Sequence, residues 1–301
     1  MNIKNKGYWL VFATAVISGF SIFINKFGVS VINPYIFTFL KNVTVAVLLC
    51  SVLVAAKDLK VIKSLSKKQW GILMAIGLVG GSIPFLLFFK GLSLTSAAGA
   101  SFIQKTMFVW ILILAGIFIK EKITKNYVFA GLLLIGGNLL FLKISDIRFD
   151  TGSGLVLLAT LFWAVENVIS KQALKDLPAR IVMWGRMFFG SVFILIFLAL
   201  SHQVSLLGNV NIQQIGWTAI TSVLLFGYVY TWYSGLKYIK VSEAAIILML
   251  GSPITTMLSV IFVKPATLKE YLAVALIAIG IVTAIGLDKI GGKIKQIYVR
   301  S

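Results

Sequence analysis

Apolar positions along this chain form long continuous runs, without the narrow stripe of a soluble helix or the alternation of a half-buried strand. The runs recur from Tyr8 to Leu287 and are separated by short polar or basic clusters. Crossing the hydrocarbon core takes about 20 residues of helix. The pattern therefore predicts ten membrane helices, near 7–25, 34–56, 70–89, 96–119, 126–142, 153–171, 180–200, 214–236, 242–263 and 269–287. The remaining stretches are too short to hold a soluble domain, so whatever the protein does is expected to happen within the bilayer.

Composition agrees with this reading. The chain has 301 residues, 59% of them hydrophobic and 12% charged, and its mean hydropathy is +0.99. A soluble protein carries about 25% charged residues, so a water-soluble fold is excluded and an all-α integral membrane protein is expected. The run that follows Lys4 and Lys6 lacks a small-residue cleavage pattern and reads as a retained first helix.

Charge then sets orientation. Net charge is +19, but the basic residues sit in clusters between apolar runs and not on one continuous face, which argues against nucleic acid as a partner. If the N-terminus is cytoplasmic, nineteen Lys and Arg fall on the inner side, including Lys57 to Lys68, Lys171, Lys175 and Lys289 to Arg300. Six fall outside: Lys26, Lys90, Lys143, Arg148, Lys264 and Lys269. An even number of helices keeps this contrast, so both termini are expected in the cytoplasm of a cell whose plasma membrane holds the protein. Cys50 is the single cysteine, which rules out an intrachain disulfide, and His202 is the single histidine.

Three landmarks repeat at a spacing of 144 residues: Pro34 and Pro178, Gly91 and Gly235, Gly136 and Gly280. A common offset near half the chain length indicates duplication, with repeats over 1–145 and 146–301. Five helices per repeat is an odd number, so the second copy is expected upside down, as two inverted five-helix repeats. That plan recurs in secondary transporters, where two equivalent halves rock about a central site.

Residues 91–101, GLSLTSAAGAS, form a short turn into the small-residue start of helix 4, and 120–124, KEKIT, close that helix; GLKYIKVSEAA at 235–245, followed by Ser252 and Pro253, matches the turn in the second half, and Gly131 to Gly137 and Ala275 to Gly280 share a small-residue pattern. In these stretches, and in their order over essentially the whole chain, the sequence resembles the ten-helix EamA branch of the drug/metabolite transporter superfamily. The resemblance implies export or exchange of small metabolites, amino acids among them. Two features depart from the family pattern: α-helix 4 has Gln104-Lys105 and no Pro, and Lys264 stands where Glu is expected.

Four ionisable residues fall inside the predicted spans: Lys41, Lys105, Glu166 and Arg186. A charge at a helix centre costs about 2.5–3.5 kcal/mol to insert, so these four are expected to face a watery cavity or one another. Lys41 and Arg186 lie seven and eight residues after Pro34 and Pro178, which puts each roughly 10–12 Å in from opposite faces. With Lys105 near the same level, the expected site is a cationic central pocket for a carboxylate or similar group. Arg186 offers a bidentate grip and the lysines point charges; the alternative for each is a structural contact. Glu166 reads as a fixed ion-pair partner or, alternatively, as a proton-coupling group.

Neutral residues complete the candidate site. Thr14, Ser18, Ser21 and Asn25 form one stripe, and Ser252, Thr256 and Ser259 another. Asn25 and Gln104 are the stronger candidates for cavity lining, because amides are costly to hide; Ser101 shares a helix face with Lys105. Tyr228 is a candidate for stacking on a substrate ring, whereas Trp232 and Tyr233 read as an interfacial aromatic belt. Gly77 and Gly81 read as a close-packing pair.

The expected function is thus a secondary transporter of a small organic metabolite, an amino acid or related anionic or zwitterionic compound, in the export direction. Two alternatives stay open: a flippase or hydrophobic-drug exporter with a cavity open to lipid, and a membrane-embedded enzyme or assembly factor. Neither a catalytic constellation nor a metal-ligand spacing is visible, so no enzyme activity and no metal or organic cofactor is expected. The expected partners are the substrate and the lipid bilayer, with a homo-oligomer left open.

Overall fold

The polar breaks between apolar runs become helix caps. The computed structural model describes residues 2–141 and 150–263 together with Ile279. Helix α1 covers Ile3–Val31, α2 Pro34–Ala55, α3 Lys67–Leu94 and α4 Ala97–Phe118. They are followed by α5, Lys125–Phe141, and by α6 Thr151–Asp176, α7 Ala179–Leu200 and α8 Ile212–Leu236. Helix α9 consists of two segments, Val241–Leu248 and Gly251–Val263. The side chains of Asn2, Asn33, Ser96 and Asp150 accept the orphan N–H groups that begin α1, α2, α4 and α6. Ser66 with Gln69 and Asn211 with Gln214 form capping boxes at α3 and α8.

All regular structure among the described residues is helical, and eight of these helices are long and apolar enough to cross a membrane. Their outer surfaces expose large apolar side chains, among them Val47, Ile117, Ile196, Val223 and Ile261, as a lipid-facing surface requires. Apart from Ile279, the expected span at 269–287 lies outside the described residues, as do Lys143, Arg148, Lys264 and the basic cluster from Lys289 to Arg300.

Helices 1 and 6 outrun the limits set by hydropathy. The α1 run was expected to end at 25 but continues to Val31, because the Lys26 ammonium donates to the carbonyls of Leu92 (2.8 Å), Ser93 (3.3 Å) and Thr95 (2.7 Å). Likewise α6 passes 171 and reaches Asp176, with Lys171 donating to the carbonyls of Leu236 and Ile239, each at 2.7 Å. Backbone carbonyls at a helix C-terminus, which lack intrahelical partners, thus accommodate a charge that hydropathy alone would assign to a loop.

Two prolines interrupt helices from within. Pro253 has no N–H to offer Met249, whose carbonyl accepts instead from Ser252 N at 3.1 Å, and α9 breaks there. In α3 the residues ahead of Pro84 form a π-helical turn, Gly77–Ser82. The carbonyl of Gly80, which the missing N–H of Pro84 would have engaged, is left free for side chains.

Packing is arranged in pairs. Helix α1 lies along α8, α3 along α6 and α2 along α7, while α4 touches α6 and α9 touches α1. The α1–α8 pair is antiparallel. Its one end brings Gly7 against Gly235, and its other has Gln214 Nε2 donating to the Val31 carbonyl at 2.7 Å. Gly91 and Gly152 make the corresponding contact between α3 and α6, each within reach of the other's carbonyl oxygen.

Gly77 and Gly81 do serve close packing, against α7. A β-carbon on Gly81 would lie 2.1 Å from the Arg186 carbonyl oxygen, a backbone atom that has no rotamer to escape into. Gly81→Val is therefore expected to destabilise the protein by about 3 kcal/mol, the upper end of the cost of overpacking. Thermal unfolding in detergent checks this, with Gly71→Ala, where nothing lies within 4 Å, as the unaffected control.

Candidate functional site: a cationic cavity between the helices

Helices α1, α2, α3, α4, α6, α7 and α8 surround a cavity of about 50 Å³. This is room for a few waters, well below the few hundred Å³ of an open metabolite site. Lys41, Arg186, Asn25, Gln104 and Tyr228 line it, as do Ser18, Ser21, Trp163 and Asn167; Phe85, Phe88 and Phe89 supply an aromatic wall. Lys41, Arg186, Asn25, Gln104, Tyr228, Ser18 and Ser21, all singled out from the sequence, thus meet at one place.

Lys41 is 1% exposed. Its ammonium donates to Asn25 Oδ1 at 2.5 Å and lies over the rings of Phe89 (4.3 Å) and Phe37 (4.8 Å). Asn25 is held in that orientation by its own amide, which donates to the Ser21 carbonyl (2.7 Å) and hydroxyl (2.9 Å). The partners of this cation are neutral: an amide oxygen and two ring faces, which attract the charge without cancelling it.

Arg186, 4% exposed, projects from α7. Its Nη2 donates to the Gly80 carbonyl at 3.1 Å, and Trp163 Nε1 donates to the same oxygen at 3.0 Å. Asn42 Nδ2 donates to the neighbouring Gly81 carbonyl at 2.6 Å. The π-turn created ahead of Pro84 thus anchors side chains from α2, α6 and α7. The signal in the sequence was a proline in the middle of a span, four residues after Gly80.

Glu166 is fully buried and does not line the cavity. Its Oε1 accepts from Ser170 Oγ and Tyr233 Oη, each at 2.5 Å, while Oε2 stands 4.0 Å from Arg186 Nη2. Neither Oε2 nor Arg186 Nε has a hydrogen-bond partner. Gly80 makes room for this carboxylate, since a β-carbon there would come within 2.2 Å of Glu166 Cγ.

Lys105 is 2% exposed but stands one side chain behind the cavity surface. It donates to Ser18 Oγ (2.7 Å) and Gln104 Oε1 (2.8 Å), and both of those residues line the cavity. Gly251 of α9 packs against its Cε. Among the described residues the ion pairs are Lys4–Glu243, Arg180–Asp58 and Arg186–Glu166, and neither Lys41 nor Lys105 takes part in one. Ser101 turns away from the cavity to Thr255 at 3.2 Å and joins α4 to α9.

The residues of the polar stripes divide between lining the cavity and hydrogen bonds to a neighbouring helix or to their own backbone. Ser18, Ser21 and Asn25 reach the cavity, whereas Thr14 shares a 2.8 Å hydrogen bond with Thr231 of α8. On α9, Ser259 donates back to the Thr255 carbonyl of its own helix at 2.9 Å. Trp232 and Tyr233 depart from the expected interfacial belt: they are 1% and 0% exposed. Trp232 Nε1 donates to Asn167 Oδ1 at 2.8 Å and Tyr233 Oη to Glu166, so the protein interior supplies the polar partners a headgroup region would otherwise provide. Tyr228 stacks on Trp232 with centroids 6.3 Å apart and an interplanar angle of 17°.

The sequence matches the EamA-like transporter family over residues 5–143 and again over 150–286. The uncharacterized transporter YyaM of Bacillus subtilis is 23% identical over 293 residues, covering 94% of each chain. An uncharacterized transporter of Archaeoglobus fulgidus is 26% identical over 277 residues, 91% of this chain and 96% of its own. The riboflavin transporter ImpX of Fusobacterium nucleatum is 26% identical over 212 residues, 65% of this chain and 70% of its own. A solved crystal structure superposes with a TM-score of 0.77 at 17% identity, over 94% of this chain and 97% of that one, a likeness of fold. With two copies of the family's domain along a helical chain whose spans enclose a polar cavity, this protein belongs to the EamA-like transporter family and is a multi-pass membrane transporter.

Proposed function

We propose that this transporter moves a small organic metabolite bearing an anionic or zwitterionic group, an amino acid or a relative of one, outward across the plasma membrane by alternating access. The observation that carries the reading is the charge inventory of the cavity. Lys41 and Arg186 line it, Lys105 stands behind it, and Glu166 is paired with Arg186. Two buried cations with neutral partners favour a ligand that brings negative charge with it. The cavity of about 50 Å³ fits a carrier closed around its site, which helix separation enlarges to admit substrate.

The architecture proposed is ten helices in two inverted five-helix repeats, 1–145 and 146–301, with both termini cytoplasmic. Paired contacts support it: Gly7 meets Gly235 while Gly91 meets Gly152, and Gly7 and Gly152, like Gly91 and Gly235, stand 145 and 144 residues apart. A reporter active only in the cytoplasm, fused after Arg300, is expected to be active; activity only of an externally competent reporter there would overturn the topology.

A second reading, transport of a flat ring system such as the riboflavin named for ImpX, draws on the aromatic wall of Phe85, Phe88, Trp163 and Tyr228. Efflux from cells overexpressing the protein, screened across metabolites, separates the two. Accumulation of carboxylate-bearing compounds outside the cells is expected. Movement only of neutral ring compounds, hydrophobic drugs or lipid would reject the anionic reading.

A further inference from the structure

We propose that Lys26 and Lys171 are a matched pair of latches, one at each end of the transport path, and that each must release for its own face to open. The inference rests on the alternating-access reading and adds the residues that hold each face shut. Lys26 ties α1 to the turn between α3 and α4 through the carbonyls of Leu92, Ser93 and Thr95. Lys171 ties α6 to the turn between α8 and α9 through the carbonyls of Leu236 and Ile239.

The two sets are equivalent in sequence. Lys26 and Lys171 are 145 residues apart, while Leu92 and Leu236, and Thr95 and Ile239, are each 144 apart. They sit at opposite ends of the bundle. Gly7 of α1 packs on Tyr238 and Ile239, beside the Lys171 contacts, and Lys26 lies 19 residues further along α1, about 28 Å away at the rise of an α-helix. Each ammonium is only partly buried and is held by main-chain carbonyls at the end of a helix, where the backbone dipole favours a cation.

The device accounts for a conformation in which the cavity is small. With both lysines engaged, neither turn can move away from α1 or α6, and the cavity is small. Breaking the Lys26 contacts frees the α3–α4 turn at one face, and breaking the Lys171 contacts frees the α8–α9 turn at the other. A lysine that only stabilised the fold would not distinguish one face from the other.

The test uses the full chain in membranes with Cys50→Ser, which removes the single cysteine, and Leu225→Cys, which puts a thiol on the cavity wall. A membrane-impermeant methanethiosulfonate reagent is applied from either face. Lys26→Met is expected to speed labelling roughly tenfold from the face that bears the α3–α4 turn, the scale of losing a charge-assisted hydrogen bond. Lys171→Met is expected to speed it from the opposite face, and Lys26→Arg and Lys171→Arg to restore the parental rates. If a Met variant fails to accumulate, the Gln variant at the same position is used. Two variants that shift labelling in the same direction, or leave it as in the parent, would overturn the latches. Absence of substrate counterflow in the parent would instead overturn the carrier reading on which they rest.

Discussion

Arg186→Met is expected to destabilise the protein by about 3–5 kcal/mol, the cost of breaking a buried ion pair by removing one partner. The Glu166 carboxylate, fully buried, would keep its hydrogen bonds from Ser170 and Tyr233 but lose the guanidinium 4.0 Å from its second oxygen. Adding Glu166→Gln should recover most of the loss, because a neutral amide oxygen still accepts from Ser170 and Tyr233 and no buried charge is left. Thermal unfolding of the single and double variants in detergent provides the comparison. Substrate binding gives an independent readout: the double variant should be stable yet bind an anionic substrate poorly, since the fork that lines the cavity is gone. Equal stability of Arg186→Met and the parent would show that the pair contributes nothing to the fold.

Lys41→Met is expected to leave folding intact and to weaken binding of an anionic substrate roughly ten- to hundredfold, the equivalent of about 1.5–3 kcal/mol for a hydrogen bond to a charged group. Methionine suits the site physically, because Phe37 and Phe89 form an apolar sleeve that a flexible thioether fills. Lys105→Met should have the smaller effect, less than about tenfold, since Lys105 reaches the cavity through Ser18 and Gln104 and not directly. Equilibrium binding with purified variants ranks the two. The reverse order would mean that Lys105 turns into the cavity when substrate enters.

The difference between these two lysines marks what the sequence reveals and what it hides. The height of a residue in the membrane follows from its distance along a helix, and Lys41, Lys105 and Arg186 do gather around one region. The direction in which a side chain points depends on the rotation of its helix against its neighbours. Lys105 and Ser101 share a face that turns toward α1 and α9, leaving Gln104 to face the cavity. The positions of the apolar runs were legible because lipid exposure demands them. The ends of α1 and α6 were not, because Lys26 and Lys171 carry charge where hydropathy expects a loop and are satisfied only by carbonyls distant in the chain.

Other features depend on contacts between helices distant in the chain. The free Gly80 carbonyl arises from Pro84 within α3, but its role appears only when Trp163 and Arg186 come to it from α6 and α7. Trp232 and Tyr233 resembled headgroup anchors by composition and depth along α8; Asn167 and Glu166, both on α6, make them interior residues. In each case the local sequence specifies a donor or an acceptor, and the tertiary fold selects its partner.

Counterflow in proteoliposomes tests the central claim most directly. Purified protein is reconstituted with a carboxylate-bearing substrate from the efflux screen inside the vesicles, and uptake of the same labelled compound is followed from outside. An alternating-access carrier predicts transient accumulation of label above equilibrium, abolished or strongly reduced by Lys41→Met. Label that only equilibrates at a rate independent of internal substrate, or accumulation that Lys41→Met leaves unchanged, would contradict the account of a carrier that holds its anionic substrate in this cavity.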